Sequence, residues 1–195
     1  MAEQNVMGRE TPVPIGADAQ PVTVESMYHM PRDGRKYELF EGEVKMAPAG
    51  MYHEYIAGEL YFRIRLYLQE HAIGSLYTSS AGYELPSGQV LSPDVSFASN
   101  GKFQNEKIPI GFGHFAPDLA VEVVSPGDLI SDIEDKAQIY LENGTQLVWV
   151  IVPRSRRAFI YRTNRKLQVI EGDEQLDGED VLPGFACPLS EIFGQ

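Results

Sequence analysis

The stretch Leu119-Ala120-Val121-Glu122-Val123-Val124 decides the fold: an apolar run broken by a single carboxylate. Runs of this kind belong to strands buried on both faces, at the centre of a sheet covered above and below. Leu147 to Val152 is a second such run, and Ala158 to Tyr161 makes a further strand beyond the turn Pro153-Arg154-Ser155-Arg156. Between these runs, Ile133, Ala137, Tyr140 and Leu141 mark one face of a helix ending at Asn143-Gly144, and Ser131 with Glu134 has capping-box spacing. Beyond Tyr161 the chain reads as an irregular acidic segment.

Toward the N-terminus, Ile56, Leu60, Ile64, Tyr67 and Leu68 recur at helical spacing and predict a long helix from His53 to His71, with Gly74 after its end. Strand-like segments follow near 75 to 84 and 90 to 98, and then a long polar and Gly-rich connection from 99 to 118. Earlier still, Thr23 can cap a short helix through Met30, which Pro31 stops, and Arg32-Asp33-Gly34-Arg35 turns into a strand at Tyr37 to Phe40. Glu41-Gly42 turns that strand back into Val44-Lys45-Met46, a hairpin ending near Pro48. Residues 1 to 21 are polar and Pro-rich without apolar periodicity, so a loosely attached arm is expected there, with a single domain over 22 to 195. The order of elements points to an α/β or α+β fold, a mixed sheet flanked by helices.

Across 195 residues, 28 acidic and 16 basic side chains leave a net charge of -12, which argues against a uniformly basic surface wrapped around nucleic acid. Six of the acids fall within 171 to 180, so the remainder of the chain carries only -6. Cys187 stands alone, excluding an intramolecular disulfide or a Cys-rich zinc site and suiting a small core position in a reducing compartment. The longest aliphatic and aromatic run spans six residues, far below the roughly 20 of a membrane-crossing helix. MAEQNVMGRE lacks the apolar centre of a signal peptide, and the expected location is the cytoplasm.

The chemistry concentrates on few residues. Pro93-Asp94 precedes Glu122 by 28 positions, and two carboxylates on adjacent strands suit Mg²⁺, which takes one or two carboxylates and keeps waters for a phosphate. Alternation sets Asp94 and Ser96 on one face of their strand, while Glu122 shares its face with Ala120 and Val124. Spacing equally allows Asp94 to cap a turn and Glu122 to pair with an arginine at a strand edge. Lys136 stands four residues after Asp132 and four before Tyr140, so it could reach over the end of the sheet or simply pair with Asp132 at the surface. Ser125-Pro126-Gly127 lacks the surroundings of a serine nucleophile.

Tyr37-Glu38-Leu39-Phe40-Glu41-Gly42-Glu43, His53, Pro93-Asp94-Val95, Pro117-Asp118 through Ser125-Pro126, Asp132 with Lys136 and Tyr140, Gly144 and Val148 to Val152 occur in one consistent order. This series resembles the Uma-two family of putative restriction endonucleases, similar to the PD-(D/E)XK nuclease superfamily, over about residues 22 to 170. The resemblance implies a restriction-endonuclease-like core and an endonuclease that hydrolyses phosphodiester bonds in DNA with Mg²⁺ or Mn²⁺. Asp94 and Glu122 would be the metal ligands, Lys136 the catalytic cation and Glu38 an additional catalytic acid. His53 matches a family position and, like Asp132, could brace the metal's ligands. The usual lysine two residues after the glutamate would fall at Val124, and Lys136 is its natural substitute.

Arg154, Arg156 and Arg157, ahead of Arg162, Arg165 and Lys166, could contact a nucleic-acid backbone or balance the acidic segment at 171 to 180. Exposed apolar strand faces around Trp149 would suit a homodimer carrying two metal sites for two DNA strands. The alternative is a non-catalytic module that keeps the nuclease fold for binding or interaction, which the missing lysine at 124 and the negative charge keep open. A two-carboxylate glycosidase has no motif in its support.

Overall fold

The computed structural model of the chain describes residues 22–31, 36–45, 50–103, 107–163 and 165–194. The arm expected over 1 to 21, the turn at 32 to 35 and the end of the hairpin near Pro48 lie outside the described residues. The elements are α1 (Val24–Met27), β1 (Glu38–Phe40), β2 (Glu43–Lys45), α2 (Met51–Glu70), β3 (Gly74–Thr78), β4 (Tyr83–Glu84), β5 (Val90–Leu91), β6 (Val95–Ser99) and β7 (Leu119–Val123). They continue with α3 (Ile130–Glu142), β8 (Leu147–Val152), β9 (Arg157–Arg162), β10 (Gln168–Glu171), β11 (Gln175–Asp177) and β12 (Ala186–Pro188).

The main sheet has the order β10-β9-β8-β7-β6-β3, with β7 and β8 parallel at its centre and antiparallel pairs outside them. A parallel neighbour requires a crossover, and α3 supplies it. Alternation along the central strands then sorts the two faces. Val95, Phe97, Val121, Val123, Trp149 and Ile151 pack with Ile56, Leu60 and Ile64 of α2. Ala120, Val148 and Val150 pack on the other side with Ile133, Ala137 and Tyr140 of α3. A fully buried side chain of this size contributes roughly 1.5–3 kcal/mol relative to leaving it in water, so both helices are held by their apolar faces.

A smaller antiparallel sheet, β2-β1-β5-β4, stands beside this core. Its β1–β2 hairpin turns through Glu41 and Gly42 at φ of 51° and 80°, the left-handed pair that two-residue hairpin loops require. Gly42 takes that conformation without strain, having no Cβ.

The structure corrects the reading in four places. The helix α3 starts at Ile130 with Leu129 as its cap and no side-chain capping bond, so Ser131 lies inside the first turn and forms no capping box with Glu134. The reciprocal box belongs instead to Thr23 and Ser26 of α1, which ends at Met27 rather than Met30. The acidic C-terminal segment is ordered: β10 extends the main sheet, β11 pairs with β12, and Leu176, Leu182, Phe185, Ile192 and Phe193 join the α2-side core. Trp149 is fully buried in that core, so its strand presents no apolar face to a partner. Cys187 is buried as expected, and burial pushes its thiol up to about 11.

Candidate functional site

The central strands bring the candidate carboxylates together at one end of the main sheet. β6 and β7 pair Val95 with Val121, and Asp94 N–H donates to Val121 O at 2.9 Å, so one further step of the register sets Asp94 across from Glu122. Asp94 Oδ2 then accepts from the backbone N–H of Val123 at 2.9 Å. Asp94 therefore ties two strands together rather than capping a local turn. On the α2 side, Nε2 of buried His53, in the first turn of that helix, meets the same Oδ2 at 2.9 Å.

Glu122 points toward α3. Tyr140 donates its hydroxyl to Glu122 Oε1 at 3.0 Å, and Lys136 Nζ lies 3.7 Å from Oε2. Among the described residues no arginine takes part, and the strand is central. Lys136 also donates to Glu38 Oε2 at 2.7 Å, while Ser92 N–H donates to Glu38 Oε1 at 2.9 Å. The surface pair with Asp132 does not form: Lys136 is buried, and Asp132 binds Lys45 of β2 at 2.8 Å, Lys45 being the cross-strand partner of Glu38.

Lys36, immediately before β1, completes the group, with Nζ 3.3 Å from Asp94 Oδ1 and 3.8 Å from Glu38 Oε1. Five charges thus alternate in sign through space: Asp94, Lys36, Glu38, Lys136, Glu122. Sequence reasoning missed Lys36. Its one signal is its place two residues before Glu38, on the same side of an extended segment. The hydrogen bond of Tyr140 to Glu122 was equally unread, because Tyr140 serves the apolar face of α3 as well.

The electrostatics follow from burial against these neighbours. Burial works against the Asp94 charge, but the His53 hydrogen bond, Lys36 and the Val123 amide outweigh it and hold the carboxyl down at about 2. Burial pushes Glu122 up to about 7 despite Lys136, with the Asp94 and Glu38 charges adding to the rise. Lys136 itself is raised, since Glu122 and Glu38 outweigh its burial. The opposite pulls within the Glu122–Lys136 pair are resolved by the distances. The ammonium sits first on Glu38 at 2.7 Å and only second on Glu122 at 3.7 Å, leaving Glu122 under-compensated. His53 is raised because its bond and attraction to Asp94 exceed the effect of burial.

Among the described residues, no group of three or more His, Cys, Asp or Glu side chains is arranged as a ready-made metal cage. The donor set still fits Mg²⁺ or Mn²⁺. Asp94 and Glu122 offer hard oxygens from facing strands, and Mg²⁺ needs only one or two carboxylates because it retains water. Among the described residues, three carboxylates face two lysines here, and Glu122 is the carboxylate farthest from its nearest ammonium.

The arginines of the β8–β9 turn are partly engaged. Arg156 donates to Gly194 O at 3.3 Å and lies over the Phe193 ring, and Arg157 donates to Glu171 at 2.6 Å. Arg162 and Arg165 both bind Glu179, so much of the basic group balances the acidic segment. Arg154 is exposed.

A mixed sheet flanked by helices, with two carboxylates opposed across its central strands, has the architecture of the restriction-endonuclease-like class. The family described as "Uma2: Putative restriction endonuclease" matches residues 24–190, and the chain belongs to that family. The fold is similar to a crystal structure described as a putative nuclease belonging to DUF820 from Anabaena variabilis, with a TM-score of 0.79 and 21% identity. That likeness covers 89% of this chain and 98% of the other. No curated protein matches the chain. No described helix is long and apolar enough to cross a membrane.

Proposed function

We propose that the protein is an endonuclease that hydrolyses phosphodiester bonds in DNA with a divalent cation, Mg²⁺ or Mn²⁺, and works as a homodimer inside the cytoplasm. The observation that carries this reading is the convergence of Lys136 on Glu38 and Glu122, with Asp94 opposite Glu122 across the β6–β7 pair. Membership of a family described as restriction endonucleases supports it.

In this reading Asp94 and Glu122 hold the cation. When bound, the cation polarises a phosphoryl oxygen and makes water available as a nucleophile near neutral pH. The water oxygen forms a bond to phosphorus while a bond from phosphorus to one sugar oxygen breaks. The attacking water gives up a proton to bulk water, and the departing sugar oxygen takes one up from bulk water. Lys136 supplies a fixed positive charge beside the reacting phosphate. Its place on α3 substitutes for the lysine that Val124 cannot provide. Glu38 holds that ammonium in position through Oε2. His53 fixes the orientation of Asp94 through Oδ2, and Lys36 holds the other oxygen of the same carboxylate. The exposed Arg154, beside Arg156 and Arg157, offers the DNA backbone a contact at the β8–β9 turn.

The test is cleavage of supercoiled DNA, single-stranded DNA and RNA by purified protein with Mg²⁺ or Mn²⁺ at low salt, beside Asp94→Ala prepared identically. Nicking or linearisation that requires the metal and disappears in the variant supports the reading. Equal activity in wild type and variant, or none on any substrate, overturns it in favour of a non-catalytic binding module.

A further inference from the structure

The long helix α2 buries Ile56, Leu60, Ile64 and Leu68 against the main sheet. Its opposite side carries Met51, Tyr55, Gly58, Phe62 and Leu66, spaced as one continuous helical face. All are exposed, Met51 by 93% and Phe62 by 56%, and nothing lies within 4 Å of where a Cβ on Gly58 would stand. A helix whose outer side repeats large apolar residues around a glycine presents a seam and a point of close approach. The flanks of the seam differ. On one, Glu59 and Arg63 already pair with each other at 3.4 Å. On the other, Glu54 and Arg65 are both exposed, the Glu54 carboxylate lying 3.5 Å from Nδ1 of His53 in its own chain.

We infer that this face of α2 packs against the same face of a second copy, with the two helices antiparallel and the two-fold axis near Gly58 and Glu59. The inference rests on the homodimer reading above and assigns its interface. Antiparallel alignment about that axis sets Met51 against the partner's Leu66 and Tyr55 against the partner's Phe62. Each apolar residue therefore meets an apolar one, as a self-complementary two-fold interface requires. The glycines approach at the centre, where no side chain holds the backbones apart. Glu54 then falls within one helical turn of the partner's Arg65 on the same edge, giving two symmetric ion pairs. Parallel two-fold alignment would instead set the Glu54 and Arg65 flank of each copy against the partner's Glu59 and Arg63 flank, so Glu54 and Arg65 could not meet across the interface. Charge thus selects both the second copy as occupant and the antiparallel register. A single helix pair is a small interface, so the dimer dissociates on dilution.

The test is sedimentation velocity of the full chain over a range of concentrations, together with cysteine cross-linking. Wild type should dimerise with concentration, and Phe62→Glu should stay monomeric with the thermal transition that wild type shows when diluted to monomer, because Phe62 is largely exposed. Glu54→Arg should weaken the dimer at low salt, and adding Arg65→Glu should restore it. Glu54→Cys and Arg65→Cys should each resist oxidation to a dimer alone but cross-link when mixed; buried Cys187 does not compete. A wild type monomeric at every concentration overturns both the homodimer reading and this interface. A dimer unaffected by Phe62→Glu, or self-linking of Glu54→Cys alone, overturns the interface or its register while leaving the homodimer standing. Should Phe62→Glu fail to fold, the mixed cross-link decides.

Discussion

Lys136 donates a 2.7 Å hydrogen bond to Glu38, a residue 98 positions earlier in the chain, and both side chains are buried. This contact joins the crossover helix α3 to the hairpin sheet over the end of β7. It also places the ammonium within 3.7 Å of Glu122, so one cation serves two carboxylates.

Removing that cation should therefore be costly. Lys136→Met leaves Glu38 and Glu122 buried without their shared partner, and the loss of folding stability should be about 3–5 kcal/mol, the range for breaking a buried ion pair from one side. Lys36→Met should cost clearly less, since the Lys36 side chain is 26% exposed against 10% for Lys136. Urea unfolding of both variants checks the order; a smaller loss for Lys136→Met would contradict it.

Stability of the metal-free protein should depend on pH through Glu122. Its folded pKa, pushed up to about 7, exceeds the ordinary carboxylate value. Its contribution is thus fully present below the unfolded pKa and is lost as pH rises through about 7. Asp94, held down at about 2, works in the opposite direction: its contribution is present above the ordinary value and is lost as pH falls toward about 2. In EDTA, the Tm of wild type should fall between pH 5 and 8, and Glu122→Gln should make that decline shallower. Parallel profiles for the two proteins would contradict the assignment.

The main strand segments and the helix faces were legible because alternation and helical spacing are local properties of the chain. Asp94, Glu122 and Lys136 were singled out through the family resemblance; spacing alone left Asp94 open as a turn cap, Glu122 as a strand-edge ion pair and Lys136 as a surface partner of Asp132. What escaped depended on long-range placement. Lys36 reads as an ordinary basic residue until β1 is laid beside β5 and the Asp94 segment. The segment from 168 to 193 reads as irregular because its charges mask alternating apolar residues, Ile170, Leu176 and Cys187, that a distant core receives. Ser131 misled because the carbonyl and amide groups that begin α3 are set by the loop before it, with the cap at Leu129, two residues earlier than the capping pattern implies.

The bond from His53 to Asp94 makes a spectroscopic prediction. Asp94 raises the His53 pKa through both its hydrogen bond and its charge, against the effect of burial. Asp94→Asn should lower that pKa, as read from the imidazole proton shifts by NMR titration. An unchanged value would mean that the contact is not maintained in solution.

Tyr140→Phe removes one donor from Glu122 and keeps the volume of the ring. The expected loss is about 1.5–3 kcal/mol, the range for a hydrogen bond to a charged group, without loss of the fold. Denaturant titration above pH 8, where Glu122 is ionised, measures it most cleanly. A neutral substitution there would show that Tyr140 serves packing alone.

The central claim is that Asp94 and Glu122 together hold a divalent cation beside Lys136. Anomalous diffraction from crystals grown in MnCl2 tests it most directly. The expected result is one strong peak at about 2.0–2.2 Å, the short oxygen distance of small divalent cations, from oxygens of both carboxylates. That peak should vanish in Asp94→Asn. No peak at that position in wild type, or a Mn²⁺ ion bound elsewhere and indifferent to Asp94, would contradict the account.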